Sequence, residues 1–247
     1  METTKNANNS DYDHNKAAFS TMPDFSRYLS ISKDIGVISL TRALQYEFIR
    51  NYPFQGTVLD IGGGELTGYR QLLNCSSYDS INIDHSTEPT WIVGVGEAFP
   101  CSSGSYDTVI SFNTLEHIFD AQFVLREMQR VLKSGGNLWL TTPFLFPIHG
   151  HPDDFFRPTP SWYNQALTEA GFKNIVVFPL AWGPLTTGQV CSGSPGPFRS
   201  FRRQIALITD LLYAKLQTSR KQTTAFDYLN RFATAFLVHA EKSVSVD

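Results

Sequence analysis

The chain has 247 residues, 42% of them hydrophobic and 17% charged, with a formal net charge of −3. That length suits one large α/β domain, the composition is that of a globular protein, and the charge excludes a strong basic field for nucleic acid. The three cysteines, Cys75, Cys101 and Cys191, form no CxxC pair; no apolar run has the ~18 residues of a membrane span; and the opening METTKNANNSDYDHNK lacks a basic-then-apolar leader.

These features predict a reducing, cytoplasmic setting, a disordered tail over residues 1–16 and a single domain over residues 17–247. After the tail, Ile38, Leu44 and Phe48 recur at near-helical spacing and predict a leading helix over Ile31 to Asn51, broken by YPFQG. TVLDIGGG (57–64) reads as a buried strand entering a tight turn, followed by short strands at SINIDHS (80–86), TWIVGVG (90–96) and YDTVISFN (106–113). Asp120 caps a helix that closes at Gly135, and a fifth strand follows at NLWLTTPF (137–144). A helix capped at Thr159 or Ser161 and stopped at Gly171 leads to a sixth strand, KNIVVFPL.

Residues 181–230 change character. WGPLTTGQVCSGSPGP reads as a loop, and FRSFRRQIALITDLLYAKL as an amphipathic helix with Phe201, Ile205, Ile208, Leu212 and Leu216 on one face. This helical insertion precedes a last strand in FATAFLVHAEK and is read as a lid or a homodimer face ahead of a membrane-surface helix. Alternating strands and helices, with strands that are apolar runs, predict a doubly wound, Rossmann-like, mostly parallel sheet. Ligands of such sheets bind beyond the carboxyl ends of the strands.

Chemistry is therefore sought in the segments after the strands. Gly62, Gly63 and Gly64 follow Asp60 and let a ligand approach the backbone, and Asp84 ends the next strand, where a carboxylate grips a ribose diol. Asp84 and this turn together suit a nucleoside-type ligand; the bland alternative for Asp84 is a surface turn acid. The dinucleotide pattern GxGxxG fits imperfectly, because its third glycine would fall at Thr67 rather than Gly68.

VLDIGGGE, INID, GEAFP, YDTVISFNTLEHI and EMQRVLKSGGNLWLTTP, in this order, resemble the class I S-adenosylmethionine-dependent methyltransferases, type 11 in particular. The resemblance covers Thr57 to Leu180. It implies S-adenosyl-L-methionine as cofactor, with Asp60, Gly62 and Gly64 at its methionine end, Asp84 on the ribose hydroxyls, Gly96 and Glu97 at adenine and Asn113 under the sulfonium. Gly63 belongs to the same turn, and His85 is read as a cofactor-rim residue. One departure stands out: the family's Gly-Asp-Ala reads Gly94, Val95, Gly96 here, leaving Glu97 or a backbone carbonyl for the adenine amino group.

The stretch TPFLFPIHGHPDDFFRPT (142–159) follows the fifth strand. His149 and His151 are suited to proton removal near neutral pH, while Asp153, Asp154 and Arg157 could orient a ring or hold substrate. A solvated loop is the bland alternative. A metal reading draws on HxHxDH, but its sixth position is Asp154 rather than His, so no metal is expected here. The resemblance supports a base with a substrate clamp, since type 11 enzymes often carry a PxxxHxxPxDxxR-like segment at this place. His117 reads as a packed histidine, and Phe155, Phe156, Trp162 and Tyr163 as an acceptor wall or as core.

The expectation is methyl transfer to a small-molecule acceptor, foremost an oxygen of a sugar or other small polar metabolite. The alternatives are an NAD-type oxidoreductase and a nucleoside-binding module without catalysis.

Overall fold

The computed structural model describes residues 22–35, 37–54, 56–150, 152–219 and 224–244. The tail over residues 1–16 and His151 lie outside them. Among the described residues seven strands make one sheet: β1 (Thr57–Ile61), β2 (Ser77–Asn82), β3 (Trp91–Ile92), β4 (Tyr106–Phe112), β5 (Leu132–Pro143), β6 (Phe172–Leu180) and β7 (Ala235–Lys242). Their order is β3-β2-β1-β4-β5-β7-β6, with β7 antiparallel to both neighbours and every other pairing parallel. This is the doubly wound, mostly parallel sheet that the apolar strand runs predict. Strand order reverses between β1 and β4, so both crossovers leave β1 and β4 with their carboxyl ends side by side and a crevice beyond them.

The helices are α1 (Phe25–Ile35), α2 (Leu40–Asn51), α3 (Ala121–Val131), α4 (Pro160–Glu169), α5 (Pro184–Cys191), α6 (Arg199–Ser219) and α7 (Ala225–Arg231). One core, around Leu59, Leu125, Met128, Leu138 and Tyr163, fills the side covered by α3 and α4. A second, around Ile31, Ile49, Trp139, Phe178 and Trp182, lies under α1 and α2. Burying both faces of the sheet is what permits its uninterrupted apolar strands. Asp120 and Thr159 cap α3 and α4 by accepting from Phe123 N–H and Trp162 N–H, as their residue types predict.

Several boundaries differ from the expectations. The single leading helix is two helices, because the chain turns at Val37–Ser39 and Ser39 starts a new one by accepting from Arg42 N–H. Strand β2 begins and ends earlier, which moves Asp84 into the turn beyond it. Strand β3 is only two residues long. The crossover from β1 to β2 contains no α-helix, only one 3-10 turn at Arg70–Leu72, so strict alternation holds from β4 onward.

The expected loop after Trp182 holds α5. Asp210 of α6 makes this possible by accepting from the N–H groups of Leu185 and Thr186 and from Thr186 Oγ1, meeting the free donors of a helix start. Helix α6 turns the apolar face named from its sequence away from the core. Ala206, Leu207, Leu211 and Ala214 pack inward, and Phe201, Ile205, Ile208, Leu212 and Leu216 face outward. Its Arg203 donates to the carbonyls of Ile35 and Ile38 and so closes α1. No described helix is long and apolar enough to cross a membrane.

Candidate active site

A cavity of about 680 Å³ opens beyond the carboxyl ends of β1, β2 and β4. Its floor is Ile61 and Gly62 from β1, Asn82 to Asp84 from β2 and Phe112 to Thr114 from β4. Val93 to Glu97 line one side, and Arg42, Gln45 and Tyr46 of α2 line another. His117, His149 and Pro152 close a third.

The glycine turn is held by side chains behind it. Gly62 has φ +87, and a Cβ there would run into Thr114 Oγ1, so the position requires glycine twice over. Asn82 Nδ2 donates to the carbonyls of Gly62 and Gly63, each at 3.0 Å. Asn82 Oδ1 accepts from Asp84 N–H at 3.1 Å, so one amide couples the turn to the strand-end acid. Asp84 lines the cavity, and its Oδ1 accepts from Ser86 N–H.

Asp60, expected at the cofactor, stands elsewhere. It is wholly buried beneath the turn, where its Oδ2 accepts from Tyr69 and Tyr78 hydroxyls at 2.8 and 2.9 Å. Burial pushes its carboxyl up to about 7 against the pull of the two hydroxyls. Tyr78 Oη in turn accepts from Gly64 N–H, so Asp60 shapes the turn from below. Gly63 and Gly64 also stand behind the cavity wall, and His85 is exposed outside it.

On the β3 side, Gly96 has φ +83 and open space where a Cβ would be. Glu97 lines the cavity, but its carboxylate folds back to accept from Gly94 N–H at 2.9 Å. Helix α3 steadies the segment that follows: Glu127 accepts from Phe99 N–H, and Arg130 donates to the carbonyls of Phe99 and Cys101. Asn113 lines the cavity in a left-handed conformation (φ +55) that asparagine tolerates, and donates to Gln45 Oε1 at 2.7 Å.

The third wall gathers His117 and His149, their rings edge to face at 5.2 Å. His117 Nδ1 meets the carbonyl of Asp153. His149 Nδ1 lies 3.2 Å from the Pro147 carbonyl and 3.3 Å from Asp154 Oδ2. Desolvation lowers the His149 pKa, which keeps its ring neutral near pH 7. The expected clamp is instead a closed pair: Arg157 donates both arms to Asp154, whose carboxyl is pulled down to about 2. Asp153, Asp154 and Arg157 do not line the cavity, and neither do Phe155, Phe156, Trp162 and Tyr163. Tyr163 is wholly buried in the core.

Three participants carry a weaker sequence signal. Asn82 and Gln45 are polar positions inside otherwise apolar periods, which is the mark they leave in the sequence. Glu116 stands between Leu115 and His117 and is fully buried. Among the described residues neither of its carboxylate oxygens has a hydrogen-bond partner.

Comparison with known proteins gives this cavity its setting. Residues 50–140, which include β1, the glycine turn, β2, Asp84, β4 and Glu116, match the family described as Methyltransferase domain. That segment is similar to a methyltransferase domain. A sarcosine/dimethylglycine N-methyltransferase of Halorhodospira halochloris is 32% identical over 104 residues, covering 38% of this chain and 36% of that protein. A probable S-adenosylmethionine-dependent methyltransferase of Mycobacterium tuberculosis is 28% identical over 144 residues, 51% of this chain and 52% of that one. The chain thus spans about half or less of the curated relatives it matches.

The likeness in fold extends beyond the matched segment. A putative methyltransferase of Haloferax volcanii, solved with the Trm112 methyltransferase activator, superposes with a TM-score of 0.55 at 16% identity, covering 92% of this chain and 100% of that one. The [4+2]-cyclase SpnF superposes at 0.52 with 17% identity, covering 85% of each.

Proposed function

We propose that the chain transfers a methyl group from S-adenosylmethionine to a small-molecule acceptor, with an oxygen as the atom methylated. The observation that carries the reading is the cavity itself: 680 Å³ at the strand ends of a methyltransferase domain, with a bare glycine turn at Gly62 and a carboxylate at Asp84. The residues fit the cofactor. Gly62 leaves its backbone open to close approach, Asp84 suits ribose hydroxyls, and the open space at Gly96 beside Val93 and Val95 suits a flat base. Arg42 is the cationic side chain on the α2 wall and suits the carboxylate at the methionine end. Bound S-adenosylmethionine supplies a methyl group already activated on a sulfonium, so the protein's own task is to hold the acceptor in line and manage its proton.

The wall of His117 and His149 supports an oxygen acceptor, because a hydroxyl gains most from a proton acceptor beside it. His149 is the candidate base, kept neutral by desolvation and oriented through Nδ1. An amine acceptor, as in the name of the Halorhodospira relative, would need less help from that wall.

The deciding experiment is calorimetry with S-adenosylhomocysteine and with NAD. Binding of the first and not the second is expected; binding of NAD alone would overturn the reading. Turnover on an acceptor panel should then fall by roughly 10²–10⁴ in His149→Ala, with S-adenosylhomocysteine affinity retained. Unchanged turnover would remove His149 from proton transfer.

A further inference from the structure

Glu116, His117 and His149 each offer a ligand atom within 4.8 Å of the other two. His117 Nδ1 is engaged by the Asp153 carbonyl, and His149 Nδ1 by the Pro147 carbonyl and the Asp154 carboxylate. Histidines that ligate metals are held in this way, with one ring nitrogen donating to a carbonyl or carboxylate and the other left basic. Asp154 is itself fixed by Arg157, and it accepts from His149 N–H at 2.9 Å.

Glu116 is the third observation, independent of the rings. Its side chain is 0% exposed, and both its oxygens are without hydrogen-bond partners among the described residues. A buried carboxylate is retained against its desolvation cost when it is paired or coordinates a metal. The group nearest to serving it is His117 Nε2, 3.6 Å from Oε1. That separation matches the roughly 3.3–3.5 Å between two ligand atoms each ~2.0–2.2 Å from one tetrahedral ion.

The geometry points to a zinc-class divalent metal site made by Glu116, His117 and His149 at the acceptor wall of the cavity. Two imidazoles and one carboxylate form a donor set that zinc accepts with a position to spare, whereas magnesium favours all-oxygen ligation. His117 and His149 line the cavity, so the spare position opens into it. Among the described residues, the HxHxDH pattern contributes His149 to this site; the other two ligands come from NTLEH after β4, a segment remote in sequence.

With the ion in place the two rings act as ligands. An acceptor hydroxyl in the open position would exchange its O–H proton to water and remain as a metal-bound oxygen, which a Lewis acid favours. That use of the ion rests on the methyl-transfer reading; the ion site rests only on these side chains.

The test needs no cofactor and no acceptor. The full chain, freed of any affinity tag and stripped with chelator, is titrated with Co²⁺ while d–d absorption is followed, and Zn²⁺ is then added as competitor. One equivalent of Co²⁺ should bind and be displaced by Zn²⁺. Glu116→Gln and His149→Ala should each weaken binding by at least about 10-fold, while His85→Ala, on the exposed surface, should leave it unchanged. Circular dichroism and the urea midpoint serve to show that each variant is folded. Absence of saturable binding, or full binding in folded Glu116→Gln and His149→Ala, would overturn the site. A metal site present in a chain that binds no S-adenosylhomocysteine would overturn the methyl-transfer reading and leave the metal site standing.

Discussion

Asp60 and Glu116 are two buried acids on opposite sides of one cavity, and they are treated differently. Both are fully inaccessible to solvent, and burial raises both, Asp60 to about 7 and Glu116 to about 8. Asp60 is clasped by two tyrosine hydroxyls, and its work is to support the glycine turn. Glu116 has no hydrogen-bonding clasp among the described residues and faces two histidines. A clasped acid is architecture; a bare one is a group kept ready for a ligand.

That contrast can be broken at several points. The largest effect concerns pH. Asp60 has a folded pKa near 7 against an ordinary 3.8, so between those values the unfolded chain has released a proton that the folded chain still holds. Its contribution therefore makes stability fall as pH rises through that window, by up to about 4 kcal/mol. Asp60→Asn keeps an acceptor for both hydroxyls and should flatten this slope in urea denaturation at about pH 5 and about pH 7.5. An identical slope in the variant would show that Asp60 is already ionised in its pocket.

Next in size is Asp84→Ala, which should weaken S-adenosylhomocysteine by about 10–100-fold while the chain stays folded, losing about 1 kcal/mol with the bond from Ser86 N–H. An unchanged affinity would remove Asp84 from the ribose position. Tyr78→Phe should then cost about 1 kcal/mol of stability, since Asp60 loses a donor and Gly64 N–H an acceptor. Glu116→Gln, compared at about pH 4 where the carboxyl is protonated in both states, should be the mildest, within about 1 kcal/mol of the parent, because no hydrogen bond to its carboxyl is lost. A large loss there would mean that Glu116, too, is architecture.

Much of the sheet was legible because buried parallel strands announce themselves as apolar runs, as TVLDI and YDTVISF do. Gly62, Asp84, Gly96, Glu97, Asn113 and His149 were legible as cavity residues because the segments after such strands are where ligands meet the sheet. What stayed hidden depended on partners distant in sequence. Asp60 reads as a site acid until Tyr69 and Tyr78 are seen beneath the turn. Arg157 reads as a substrate clamp until Asp154 takes both its arms. Helix α5 needs Asp210, more than a helix length away, to satisfy its first turn. Which face of α6 packs on the core was not legible, because both of its faces carry apolar residues and periodicity alone does not say which one packs.

The position of β7 sets a schedule for making this molecule. Strands β1 to β5, which carry the whole floor of the cavity, are complete once Pro143 has been synthesised. Strand β6 follows, but among the described strands its only partner is β7, whose residues emerge more than fifty positions later. On a ribosome, the cavity half can assemble while β6 still waits with an unpaired edge. The residues of the cavity and the last strand of the sheet are thus made at different times, and a chain cut before Ala235 would lose the second and not the first.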